Sequence, residues 1–177
     1  MNEEIRQRTK WFMEDRFGMF IHWGLYSIPA CGEWMMSQKE MTIEEYSKYF
    51  DQFDPVDYDP KKWVCLAKKA GMKYVVLTAK HHDGFCLFDS KLTDYKSTNT
   101  KAGRDLVREF VDACREEGLK VGLYFSIIDW HHPDFPIDML HPRRNDPDAF
   151  EQNQGRDMHK YAEYMRNQVR ELLTNYG

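Results

Sequence analysis

Apolar positions along the chain fall into three short runs, each followed by a polar loop rich in rings and then by a stretch with helical spacing. The first run predicts a strand over Phe17–Trp23, entered from a polar helix at Glu3–Glu14. A long connection, Gly24–Phe53, carries a short helical patch at Thr42–Tyr49. The helix that follows has a clear start, with Asp59 placed to cap free backbone N–H groups and Pro60 suited to the first turn. Trp63, Leu66, Ala67 and Ala70 predict its apolar face, and Gly71 its stop. The second run, Tyr74–Ala79, is continuously apolar, as in a strand covered on both faces. Its helix spans Asp105–Glu117, with Leu106, Phe110, Val111 and Cys114 inward and Gly118 at the end. The third strand is Val121–Ile128, and a proline-rich loop then leads to a helix over Asp148–Tyr176 marked by Tyr161, Met165, Val169 and Leu172.

Strands alternating with helices imply βαβ units and a parallel sheet. A nucleotide-binding open sheet needs a glycine-rich first turn, which Gly24 does not provide. Polar clusters instead follow all three strands, as the active face of a barrel requires. The expected fold is therefore α/β: one domain, residues 1–177, forming a partial (β/α) TIM-type barrel of about three β/α units. A closed barrel takes about 250 residues. Three strands alone leave two open edges and an apolar face in water, so completion by oligomerisation, a partner chain or missing segments is expected.

Composition narrows the partners. The 177 residues are 42% hydrophobic and 15% aromatic, enough for a core and also suited to stacking on sugar rings. A net charge of −4, with basic residues scattered among acids, argues against nucleic acid. No run approaches the roughly 20 apolar residues of a membrane span. The charged first twenty residues lack a signal-peptide core, so the expected location is cytoplasmic, or secreted if a leader was removed. Cys31, Cys65, Cys86 and Cys114 are widely spaced without a CxxC pair, which favours reduced thiols and no zinc site. No cofactor is expected.

The chemistry-bearing residues sit after the strands. His22-Trp23 with Glu33-Trp34 offers hydrogen-bonding groups, a carboxylate and a flat ring, the set that binds sugar hydroxyls and a sugar's C–H face; a hydrogen-bonded core histidine is the alternative for His22. Lys80-His81-His82-Asp83-Gly84 follows the second strand. Both imidazoles can face one pocket only if the strand has ended before them, which Gly84 permits. His81, His82 and Asp83, helped by His22, His131 or Asp129, also suit a metal, though at no spacing tied to a fixed metal geometry. After the third strand, Tyr124 can point inward, while Asp129 and Trp130 serve either the site or the anchoring of their loop. His141, His159 and Arg143-Arg144 read as solvated surface.

Taken in order, Trp11-Phe12, Arg16 to Gly24, Gly32-Glu33-Trp34, Tyr74 to Phe85 and Tyr124 to Pro133 resemble the catalytic domain of the α-L-fucosidases of glycoside hydrolase family 29. The resemblance covers nearly the whole chain. It implies a retaining hydrolase acting on terminal α-L-fucose of glycans, with His22, Glu33, Trp34, His81, His82 and Tyr124 around the sugar. It also implies a nucleophile at the end of the next strand and an acid/base carboxylate beyond it, neither of which this sequence contains. Asp129, Glu33 and Asp83 are the nearby carboxylates, and none matches the family's nucleophile. Besides the hydrolase, two readings stay open: a self-assembling half-barrel that binds fucose without turnover, and a metal-dependent hydrolase built on His81, His82 and Asp83.

Overall fold

The computed structural model describes residues 3–177. Its centre is a three-stranded parallel sheet in the order β1-β2-β3, with β1 at Gly18–Ile21, β2 at Tyr74–Lys80 and β3 at Lys120–Phe125. Seven α-helices accompany it among the described residues: α1 Glu3–Asp15, α2 Met35–Gln38, α3 Ile43–Gln52, α4 Pro60–Lys69, α5 Leu106–Glu117, α6 Ala149–Gln154 and α7 Met158–Asn175. Gly18 pairs with Tyr74 and Tyr74 with Lys120, so all three strands start level and their C-terminal ends emerge on one side.

Strand alternation decides what each face of β2 does. Val75, Leu77 and Ala79 are fully buried in a core that includes Val64 and Ala67 of α4 and Leu106, Val107, Phe110, Val111 and Cys114 of α5. Each such buried large aliphatic or aromatic side chain contributes about 1.5–3 kcal/mol. The opposite face is less covered. Phe20, in register with Val76 and through it with Gly122, stays 53% exposed.

Capping explains where the helices begin. Thr42 and Glu45 form a reciprocal box at the start of α3, with Glu45 N–H donating to Thr42 Oγ1 at 3.1 Å and Thr42 N–H to Glu45 Oε2 at 2.9 Å. Asp59 caps α4 through Lys62 N–H at 3.1 Å, and Asp105 caps α5 through Arg108 N–H at 2.9 Å. Thr42→Ala is expected to cost about 1 kcal/mol, read as a lower urea midpoint with an unchanged slope.

Two helical expectations are corrected. Leu66 is 69% exposed, and the buried stripe of α4 is Pro60, Val64 and Ala67, with Trp63 packing edge-on against Trp23 and Tyr58. Both stripes have helical spacing, and the way α4 packs on α5 turns Leu66 and Ala70 outward. The single helix expected over Asp148–Tyr176 is two, because Asp157 starts α7 afresh by accepting N–H groups from His159 and Lys160. On α7 the buried residues are Tyr161, Gln168 and Leu172. No described helix is long and apolar enough to cross a membrane.

Candidate functional site

The three strand ends build one wall of rings. β1 hands over to His22 and Trp23, and Thr78 of β2 holds that exit by donating to Trp23 O at 2.6 Å and accepting from Trp23 N–H at 2.9 Å. At the end of β2 the register shifts between Thr78 and Lys80, and the chain then turns through His81 to Gly84. Gly84 adopts φ +79°, and a Cβ there would collide with the Asp129 carboxylate and come within 2.8 Å of His131 Cβ. Only glycine suits that corner. It lets two consecutive imidazoles share one side.

Ring centroids of His81 and His82 lie 4.2 Å apart, and those of His22 and His81 4.8 Å apart. Tyr124 of β3 stacks 5.9 Å from His81 and lies 5.6 Å from His22. Trp34, from the loop after β1, meets His82 edge-on at 4.7 Å, and Trp130 completes a triangle at 5.3 Å from His82 and 5.5 Å from Trp34. Burial raises the Tyr124 phenol above its ordinary value; a hydrogen bond with Ser126 works against that rise, and the charge of the half-buried Glu33 adds to it. The structure thus brings together the rings of His22, Trp34, His81, His82 and Tyr124, while Glu33 is linked to Tyr124 and His82 through its charge. An apolar groove of about 520 Å³ between β3 and α7, lined by Val121, Leu123, Phe125, Val169 and Leu172, is separate from these rings.

The electrostatics keep His81 and His82 neutral. Burial first, then the neighbouring His82 and His22, push His81 down to about 3. Burial, then His22, lowers His82, against the opposing pull of Glu33 and Asp138. Neutral imidazoles each offer one donor and one acceptor. His81 Nδ1 is buried and has no hydrogen-bond partner among the described residues.

The remaining carboxylates are engaged elsewhere. Asp83 is 2% exposed; its oxygens accept from Tyr46 Oη at 3.0 Å and Phe85 N–H at 3.1 Å, while burial pushes it up to about 6. Asp129 accepts from Lys80 Nζ at 2.7 Å with one oxygen and from the N–H groups of His131 and His132 with the other. His131 lies flat on Tyr95 at 4.1 Å and His132 packs against Tyr161 and Tyr164, so neither joins the three imidazoles. Among the described residues, no three His, Cys, Asp or Glu side chains are grouped to hold a metal ion.

Sequence reasoning passed over two participants. Tyr26 sits 5.2 Å from His81 and 5.7 Å from His22, in the tight turn after Gly24. Ser126 hydrogen-bonds His82 Nδ1, and its place directly after a strand was the available signal. His141 corrects an expectation of solvated surface: it is 2% exposed, under a turn tied to α2 by Ser37 Oγ donating to Leu140 O at 2.7 Å, and burial holds it down to about 4. Arg144 is likewise drawn in, donating to Ser37 O at 2.9 Å and to Glu40.

Comparison with known proteins agrees with this geometry. The sequence matches the family model described as Alpha-L-fucosidase over residues 1–177. Among curated relatives, the tissue alpha-L-fucosidase of Rattus norvegicus is 36% identical over 152 residues, covering 76% of this chain and 33% of its own length. The plasma alpha-L-fucosidase of Homo sapiens is 34% identical over 151 residues, 75% of this chain and 32% of its own. Among solved structures, alpha-L-fucosidase isoenzyme 1 from Paenibacillus thiaminolyticus is 62% identical with a TM-score of 0.94, covering 97% of this chain and 41% of that one. The unliganded alpha-L-fucosidase AlfC from Lactobacillus casei is 33% identical with a TM-score of 0.86, covering 97% and 58% respectively. The chain spans about a third of the length of the curated relatives it matches. By sequence and by fold, this chain belongs to the α-L-fucosidase family, a family of glycosidases.

Proposed function

We propose that the wall of His22, Glu33, Trp34, His81, His82 and Tyr124 binds terminal α-L-fucose as the recognition half of a retaining α-L-fucosidase. The observation that carries this reading is the convergence of three imidazoles from two strand ends, with neighbouring centroids 4.2–4.8 Å apart, beside an indole pair. Neutral imidazoles and a phenol exchange hydrogen bonds with sugar hydroxyls, and an indole face takes the apolar C–H side. Relatives named as fucosidases, at 36% and 62% identity, support the same substrate.

The chemical step of such an enzyme takes two carboxyls about 5–5.5 Å apart, one a nucleophile that forms a glycosyl-enzyme intermediate and one an acid/base. Asp83 and Asp129 are committed to Tyr46 and Lys80, which leaves Glu33 and Asp138 as the carboxylates whose charge reaches His82. We therefore assign the nucleophile and acid/base to groups outside these 177 residues. The half-exposed face around Phe20 supports a partial barrel completed by further strands, from a second copy, a partner chain or another segment.

Titrating the chain with L-fucose while following tryptophan fluorescence tests the reading. Saturable quenching or enhancement is expected, weakened on the order of tenfold by His81→Ala, which removes one or two hydrogen bonds to the sugar. A wild-type chain indifferent to fucose would refute it. An aryl α-L-fucoside tests the chemistry: the lone chain is expected to turn over several orders of magnitude below an intact active site. Rapid turnover that a chelator leaves untouched would return the nucleophile to this chain, at Glu33 first. Turnover abolished by chelator would favour a metal-dependent hydrolase.

A further inference from the structure

We propose that the buried Lys80–Asp129 pair is a positioning device which, through the turn over residues 126–132, holds His82 as its Nδ1–H tautomer and so presents the Nε2 lone pair to a ligand hydroxyl. As applied to sugar, the inference rests on the fucose reading of the wall. Lys80 and Asp129 do not touch the ligand; they act through His82 and Trp130.

The turn carries both groups that set His82. Ser126 N–H donates to Lys80 O at 3.0 Å, and Trp130 N–H donates to His82 O at 2.8 Å, so the β3 turn is stitched to the chain on either side of His81. Ser126 Oγ lies against His82 Nδ1 and also within 2.8 Å of Ile128 O. A carbonyl only accepts, so the hydrogen bond to Ile128 takes the single hydroxyl proton of Ser126, and the Tyr124 hydroxyl, which also hydrogen-bonds Ser126, is then a donor to the same oxygen. Ser126 Oγ must then accept from His82, which places the imidazole proton on Nδ1 and leaves Nε2 bare. Tautomers follow from such networks rather than from ring positions alone.

What keeps Ile128 over Ser126 is the pair below it. Asp129 Oδ1 gathers the N–H groups of His131 at 3.1 Å and His132 at 3.0 Å, closing the turn. Its other oxygen is fixed by Lys80 Nζ at 2.7 Å, and Nζ is fixed in turn by Gln168 Oε1 at 3.0 Å and by the Phe125 ring 4.7 Å beneath it. The two side chains are 0% and 2% exposed. A hydrophobic pair of similar volume often gives equal or greater stability than a buried ion pair, so stability alone does not account for these charges. Their geometric effect is specific: they set where Ile128, Trp130 and the ring beside it stand.

Nitrogen-15 NMR of the His82 ring, recorded at a pH where it is neutral, tests this without any ligand. The wild-type chain is expected to show the Nδ1–H signature, and an Nε2–H signature overturns the proposal. Lys80→Met combined with Asp129→Asn removes both charges yet keeps an acceptor for the two N–H groups. It is expected to fold, to show mixed tautomers, and to bind L-fucose on the order of tenfold more weakly. A folded double variant with wild-type ring signals overturns the positioning role; should it not fold, Asp129→Asn alone is read by the same criterion. A wild-type Nδ1–H signature with no response to L-fucose would sink the sugar reading while upholding the tautomer lock.

Discussion

Lys80→Met alone is expected to remove about 3–5 kcal/mol of stability, a larger loss than any cap or surface substitution in this fold would give. The side chain has no exposed surface, and its ammonium group serves Asp129, Gln168 and the Phe125 ring together. Methionine fills most of the volume, so the loss is not one of packing. It comes from leaving the Asp129 carboxylate without its counter-charge, held only by the His131 and His132 N–H groups, where water cannot reach it. The matched double change with Asp129→Asn removes that charge and is expected to recover most of the loss, which a double-mutant cycle in urea measures as coupling between the two positions. Equal midpoints for the single variant and the wild type would show that the ammonium is solvated and would dismantle this account of the turn.

The strands and their order were legible because each is a short apolar run closed by ring-bearing polar residues, and parallel register follows from the alternation with helices. Caps were equally plain: Asp59-Pro60 and Asp105 stand where the helices begin. Boundaries inside α4 and α7 were less so. Leu66 is as apolar as Val64, and only the angle at which α4 meets β2 and α5 decides which is covered. The break before α7 rests on Asp157 and Gly155 competing with a helical pattern that runs through both. In the site, His22, His81, His82 and Tyr124 announced themselves by position after or near a strand end. Lys80 did not, since a lysine at a strand terminus ordinarily reads as solvent-facing. Its burial depends on Asp129, Gln168 and Phe125 arriving from distant parts of the chain. Pairwise tertiary contacts of that kind leave no period in a sequence.

Acidification from about pH 6.5 to about pH 4 is expected to destabilise the fold by several kcal/mol, with the histidines as the cause. His81 is held down to about 3 and His141 to about 4, and His82, His131 and His132 are lowered as well, burial being the largest influence on each. The sign follows directly. Below about 6.5 the unfolded chain protonates these imidazoles while the folded chain does not, so protons favour unfolding until the folded values are reached. Each such group contributes about 1.4 kcal/mol per pH unit across its own window. Asp83 acts in the opposite sense: raised to about 6, it holds a proton in the folded chain that the unfolded chain releases near 3.8, so its contribution is lost as pH rises through that interval. One carboxyl offsets about one imidazole, whereas His81, His82, His131, His132 and His141 are all lowered. Urea midpoints measured from about pH 7 down to about pH 4 are therefore expected to fall steadily, and His141→Gln, outside the three-imidazole cluster, is expected to make that fall shallower. Midpoints that stay level over the same range would mean that water reaches these rings, and neutral imidazoles would lose their place in the description of the site.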